Sequence, residues 1–324
     1  MKQIPSENEA LLFCEQRAEG LYILRCQTND SILKLPSEIE GIPVVGLGDY
    51  VCAVREPELS GREIWKIHMT CRQDKLPTHD AKAICQVILP DSLRVIGSYA
   101  FYNCYHFSRL ELPAGIQEIG HGAFMNCTNF REVTLRGDAQ GRTCLPELLG
   151  QVSGEIQATV HLPVGEVHLL FPPYQEQWED LAPAHIFQRR IEGAGYPYRQ
   201  CFQGGVLSLL EYDMAFERLL RIQDYETAVR VALNRLRWPV GVCELAHTAY
   251  VDCLRKHADI AIEVLLRQKD VQGVHALLRL GILSEKAIHK ACDLARQMGQ
   301  TEVLGILLAA IGSTAPRAPK QYDL

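Results

Sequence analysis

Two stretches of this chain repeat each other at a fixed offset of 23 residues, and that repeat limits the fold more than any other feature. Residues 89–110 read LPDSLRVIGSYAFYNCYHFSRL and residues 112–133 read LPAGIQEIGHGAFMNCTNFREV. Nine positions are identical: Leu89 and Leu112, Pro90 and Pro113, Ile96 and Ile119, Gly97 and Gly120, Ala100 and Ala123, Phe101 and Phe124, Asn103 and Asn126, Cys104 and Cys127, Phe107 and Phe130. A unit this short cannot bury its apolar face alone, so copies stack to make one continuous core. The glycine after each isoleucine suits a sharp turn of positive φ. Asn103 and Asn126 can satisfy turn backbone through their amides, and Cys104 and Cys127 read as small apolar side chains pointing inward.

Leu135 begins a third copy that fades after one strand. A weaker copy lies upstream, where Leu35 and Pro36 match Leu89 and Pro90, and residues 47–52 match 96–101, with extra residues around 40–43. Residues 53–82 occupy the place of a repeat and match none, so they read as an insertion or degenerate coil and a candidate function-bearing loop. Residues 11–14 and 21–25 read as a hairpin capping the open end. Residues 158–162 and 167–171 read as two more strands, stopped by Pro163 and by Pro172 and Pro173.

The LP, IG, AF and NC pairs at fixed spacing, with the opening LPSEIEGIPVVGLGDY, resemble the BspA-type leucine-rich repeat family over roughly residues 33–135. The resemblance implies a short, curved solenoid with one short strand per coil in a bacterial protein. It also implies either a surface adhesin or an intracellular protein.

Residues 171–204 are dense in glycine and proline and read as a connector. Tyr174, Trp178, Tyr196, Tyr198 and Arg199 are its candidate binding residues, because aromatic and arginine side chains dominate binding hot spots. The alternative is that they pack two domains together. From Gly205 onward the apolar spacing is helical: Leu207, Leu210, Met214, Leu219 and Leu220, then Tyr225, Val229 and Leu233, then Ala246, Tyr250 and Leu254. Residues 270–278 overlie 300–308 at a spacing of 30, which suggests stacked helix pairs. Residues 291–308 are similar to the helical part of an ankyrin repeat, without its Thr-Pro-Leu-His turn. The tail from 312 is expected to be loose. The expected architecture is α+β, with a repeat domain over 1–170, the connector over 171–204 and a helical repeat domain over 205–324.

A net charge of -6 argues against nonspecific nucleic-acid binding, which needs a basic surface. No apolar run approaches the ~20 residues of a spanning helix, and the first residues are no secretory signal, so a soluble, cytoplasmic protein is expected. The 12 cysteines include no CxxC, and free thiols without zinc are the expectation. No GxSxG, GxGxxG, P-loop or HExxH occurs. His121 is expected to face outward on a turn, His275 to pack within a helix, and His161 and His168 to approach each other across two strands. No catalytic, cofactor or metal residue is assigned. The sequence reads as a non-catalytic intracellular scaffold for a protein or peptide partner. Two alternatives are a small-molecule binder or enzyme with a cleft between two domains, and an adhesin-like surface protein.

Overall fold

The computed structural model describes residues 2–70, 83–181 and 186–314. Its contacts divide the chain into two units, Met1–Tyr212 and Asp213–Leu324.

In the first unit the repeat sets the register. Strands β8 (Gln86–Ile88), β10 (Arg109–Pro113) and β12 (Glu132–Arg136) pair in parallel, with Leu110 opposite Val87 and Val133. In a second sheet β9 (Val95–Ile96) and β11 (Glu118–Ile119) pair in parallel, with Ile96 opposite Ile119. The family resemblance implies one strand per coil. The structure has two, the second only two residues long because a turn begins at Gly97 and Gly120. Leu89 and Leu112 are wholly buried, and Phe101, Cys104, Phe107 and Leu110 are buried with their counterparts in the next coil. The phenylalanines form one column across the two coils. Phe107 stacks on Phe101 and on Phe130, each with ring centroids 5.1 Å apart, and Phe124 stacks on Phe101 at 5.8 Å and on Phe130 at 5.2 Å.

The weaker upstream copy obeys the same register. β4 (Ile32–Lys34) pairs in parallel with β8, and β6 (Ile42–Leu47) with β9, Leu47 opposite Ile96. Its extra residues form β5 (Glu38–Ile39), a hairpin with β6 that turns at Glu40 and Gly41, both at positive φ.

The glycine expectation is corrected. Gly97 and Gly120 do not have positive φ; Tyr50 (56°), Tyr99 (55°), Asn103 (62°) and Asn126 (62°) do. The glycines are needed for close approach. A Cβ on Gly97 would lie 2.5 Å from the Gly48 carbonyl carbon, and one on Gly120 would lie 2.4 Å from the Ser98 nitrogen. Asparagine tolerates the left-handed region better than most residues. Asn126 Nδ2 donates to Asn103 Oδ1 at 2.8 Å, so the amides form a ladder between coils.

Both ends of the stack are covered. β2 (Ala10–Arg17) and β3 (Gly20–Thr28) form an antiparallel hairpin, and β3 extends the repeat sheet by pairing in parallel with β6. The stretch 53–82 is not wholly irregular: it contains β7 (Trp65–Thr70), antiparallel to β2 and parallel to β1 (Lys2–Pro5). Ile67 and Met69 are buried on this strand, and His68 between them is buried against Glu9. Residues 71–82 lie outside the described residues. At the other end, α1 (Leu145–Gly150) buries Leu145, Leu148 and Leu149. β13 (Ile156–Leu162) joins β12 in parallel, and β14 (Gly165–Phe171) closes the sheet antiparallel.

Side chains satisfy backbone groups on both edge strands of that sheet. Asn8 Nδ2 donates to the Ile32 carbonyl at 2.7 Å, and its Oδ1 accepts from the Lys34 amide at 2.9 Å. The Tyr212 hydroxyl accepts from the Leu170 amide at 2.9 Å and donates to its carbonyl at 2.8 Å. Such plugs blunt edges that would otherwise template pairing with another chain.

Glycine and proline in 171–204 punctuate structure within this segment. β15 (Tyr174–Leu181) and β16 (Ile186–Gly193) form a separate antiparallel hairpin, followed by α2 (Gly195–Arg199) and the short pair β17 (Phe202–Gln203) and β18 (Val206–Leu207). Then α3 (Leu209–Met214) crosses into the second unit.

The second unit is helical. Leu210 and Met214 are exposed whereas Tyr212 and Asp213 are buried, so the stripe read through 207–220 is broken. The helix is interrupted at Ala215, and α4 (Phe216–Arg221) buries Phe216 together with Leu219, which belongs to the expected stripe. There follow α5 (Tyr225–Arg237), α6 (Glu244–Lys256), α7 (Ala258–Gln268), α8 (Val271–Arg279), α9 (Glu285–Gln297) and α10 (Thr301–Thr314). One turn recurs before α5, α8 and α10: a residue at positive φ (Gln223, Lys269, Gly299) precedes Asp224, Asp270 or Gln300. The amides of those three bond to the carbonyls of Leu219, Leu265 and Ala295 at 3.1, 2.9 and 2.9 Å. Asp224 and Asp270 also cap their helices by accepting from the amides of Thr227 and Gly273. His275 is exposed, contrary to expectation, because the buried stripe of α8 runs through Val274 and Leu277. No helix among the described residues is long and apolar enough to cross a membrane.

The thiols follow their burial. Cys14, Cys127 and Cys144 are pushed by desolvation from 9 up to about 12. Cys243 is exposed. Iodoacetamide at pH 8 is expected to label Cys243 rapidly and the buried thiols only on unfolding, because the thiolate is the nucleophile. The folded pKa values exceed the unfolded ones, so the native state holds the extra protons. Stability should then fall as pH climbs from about 9 towards 12. Mass-spectrometric labelling of native Cys127 at the Cys243 rate would contradict this.

Candidate binding cleft

The register of the coils brings three glycines into line. Gly48, Gly97 and Gly120 follow β6, β9 and β11 and, with Leu47, Val95 and Ile96, line a cleft of about 480 Å³ running across those strands. The close approach that requires glycine also leaves that part of the lining without side chains. Tyr22 and Leu24 of β3 contribute, with the Arg17 guanidinium 3.8 Å over the Tyr22 ring. Residues 55–59 and Arg62, from the inserted stretch, line it too. The repeat-defining positions therefore divide in two. Ile96, Gly97 and Gly120 reach the cleft, whereas Leu112 and Phe124 are buried in the core and do not line it.

A buried arginine fixes that inserted segment. Arg25 is 3% exposed, and its Nη1 donates to the carbonyls of Ala53 at 2.8 Å and Arg55 at 3.3 Å. Its Nη2 lies 3.6 Å from Glu56. Burial lowers the pKa of Arg25, and the Glu56 carboxylate opposes that shift. The anchored turn presents Arg55 over the Tyr50 ring at 5.0 Å. Tyr50 in turn stacks on Tyr99 at 5.1 Å, and both stand edge-on to Tyr102 at 6.5 and 5.9 Å. His121 is exposed, as expected, and meets Tyr99 edge-on at 5.7 Å. The cleft thus adjoins a tyrosine pair at equivalent positions of two successive coils, Tyr50 and Tyr99, with Tyr102 and His121 edge-on beside it.

Charge in the cleft is unevenly committed. Arg17 and Arg62 both pair with Glu15, at 2.8 and 3.2 Å. Asp49 accepts from the Ser98 amide at 2.7 Å. Among the described residues Asp49, Glu58 and Glu118 make no ion pair, and Arg55 is the lining arginine without a carboxylate.

The five residues singled out in 171–204 are placed differently from one another. Tyr198 and Arg199 are buried within the first unit. Arg199 donates to the carbonyls of Leu149, Val152, Gly154, Pro172 and Gly195, at distances from 2.5 to 3.3 Å. Desolvation pulls its pKa down to about 10, with the nearby Tyr174 phenol opposing. Tyr174 and Tyr196 meet at 5.8 Å. Trp178 stands 63% exposed on the hairpin beside Phe187 at 65%. The structure therefore joins Tyr174, Tyr196 and Arg199 and leaves Trp178 apart.

His161 and His168 do converge, but on a carboxylate. His161 Nδ1 lies 3.5 Å from Glu166 Oε2, and His168 Nε2 contacts Glu166 Oε1. No group of three or more potential ligands able to hold a metal ion occurs among the described residues.

The family model described as "BspA type Leucine rich repeat region (6 copies)" matches residues 79–141. That span includes the two full copies, while the upstream copy, in register in the structure, lies outside the match. Among solved structures, a leucine-rich repeat protein of T. pallidum aligns at 24% identity and a TM-score of 0.30, over 41% of this chain and 53% of its own. A leucine-rich cell surface protein of Faecalibacterium prausnitzii A2-165 aligns at 20% identity and a TM-score of 0.28, over 46% and 40%. The matched part thus spans about half or less of either relative. No curated protein matches significantly.

Proposed function

We propose, for a chain whose residues 79–141 are a BspA-type leucine-rich repeat region, that it is a non-catalytic binding module acting in the cytoplasm. Its short repeat solenoid holds an extended peptide segment of a partner protein, and the helical repeats of the second unit act as a further scaffold. The observation carrying this reading is the glycine-floored cleft with its tyrosine pair, which supplies concave, preformed space beside aromatic and arginine side chains. Aromatic and arginine anchors in such settings dominate binding energy. The fold by itself would not license the step, since function resides in sites. The cytoplasmic assignment is supported by cysteines that remain free thiols deep in the core.

The test is quantitative capture of partners from native lysate by wild-type chain, by Tyr50→Ala with Arg55→Ala, and by Trp178→Ala. The cleft variant should weaken capture at least about tenfold, the effect of a hot spot near 1.4–2 kcal/mol, while melting like wild type. Trp178→Ala should capture normally. Equal capture by the cleft variant would remove the reading.

A further inference from the structure

We propose that the outer face of α10 is an interface between two copies of this chain, packed as an antiparallel helix pair about a two-fold axis. From Val303 to Thr314 the helix carries no charged side chain. It buries Val303 and Leu307 against its own unit, and it leaves Leu308 50% exposed with Leu304 and Ile311 half-buried. A helix apolar on all sides is normally covered on all sides. Gly305 and Ala309, one turn apart, are exposed beside Leu308, and helical spacing sets Gly312 on the same side. Glycine weakens a helix interior relative to alanine. Among the described residues nothing requires it at 305, where an added Cβ would meet no neighbouring atom within 4 Å. A close neighbour from outside the chain does require it.

Three occupants could cover this face, and two of them fit poorly. A further helical repeat would stack on both helices of the α9–α10 pair, yet α9 exposes Glu285, His289, Asp293 and Arg296. Residues 315–324 hold Pro316, Arg317, Pro319, Lys320 and Asp323, so they offer no apolar helical stripe. A second copy fits in both shape and charge. Two-fold contacts set a surface against itself, and an uncharged stripe allows this without repulsion. In the antiparallel register Leu308 of each copy meets Ala309 of the other, and Gly305 meets Gly312, so each large side chain faces a small one. The helix dipoles then oppose each other. Glu302 of one copy lies by the end of the other helix, after which Arg317 follows in the sequence. A parallel pair would instead set Glu302 against Glu302.

Sedimentation velocity on the full chain is expected to show a monomer–dimer equilibrium with a dissociation constant on the order of 10 µM, since one helix per copy makes less than a standard interface. Gly305→Leu fills the space of close approach, and Leu308→Glu brings like charges together. Each should weaken the dimer at least about tenfold, while melting no lower than the dilute wild-type monomer. Mixing the Leu308→Glu chain with a Leu308→Lys chain should restore a dimer that neither forms alone. A monomer at every concentration overturns the inference, and so does a dimer that survives both Gly305→Leu and Leu308→Glu. Failure of the two charged variants to pair with each other overturns it as well, because across a two-fold axis their charges must meet.

Discussion

Asp213→Ala should destabilise the second unit by about 3–5 kcal/mol, the cost of leaving one partner of a buried ion pair uncompensated. Arg235 is fully buried, and its Nε and Nη2 grip the two Asp213 oxygens at 2.7 and 3.1 Å. The Tyr250 hydroxyl donates to the same carboxylate at 2.7 Å, and Arg235 Nη2 also reaches the Val240 carbonyl at 3.0 Å. Removing the carboxylate leaves a buried guanidinium without its counter-charge. Tyr250→Phe deletes one hydrogen bond to a charged group and should cost only about 1.5–3 kcal/mol. Urea titration followed by circular dichroism measures both. Near-equal effects of the two variants would mean that the ion pair is not what the site depends on.

Phe107→Ala should cost the first unit about 3–5 kcal/mol, as large-to-small changes at fully buried aromatics do. The ring is wholly buried and stacks on Phe101 within its coil and Phe130 in the next. Its loss therefore opens a cavity between two coils that the cross-coil hydrogen bonds, such as Phe101 amide to Ala123 carbonyl at 2.9 Å, prevent from closing. Phe107→Leu retains most of the volume and should cost well under half as much. Equal losses for alanine and leucine would contradict a packing origin.

The repeat was legible because stacking forces its chemistry to recur. Leu89, Phe101 and Cys104 are buried for the same reason as Leu112, Phe124 and Cys127, and a matched pair reveals what a single residue hides. The glycine requirement was visible but its cause was not. A turn glycine and a glycine pressed against the next coil look identical in one sequence, and only the 2.4–2.5 Å approach that an added Cβ would make separates them. The cleft was hidden for a different reason. Its walls come from Arg17 and Tyr22, Asp49 and Tyr50, residues 55–59, Gly97 and Glu118, separated by up to a hundred or so positions and brought together by strand pairing and by the Arg25 anchor. Arg199 reads from the sequence as a candidate binding residue, and in the structure it holds five carbonyls. No local pattern reports that.

The most direct test of the account is site-specific photo-crosslinking. A benzoylphenylalanine is placed at Leu59, in the cleft lining, and separately at exposed Gln188 on the β15–β16 hairpin. Partner adducts should form from position 59, disappear with Tyr50→Ala in the same chain, and be absent from position 188. Adducts from 188 alone, unaffected by Tyr50→Ala, would place binding on the hairpin and contradict the account.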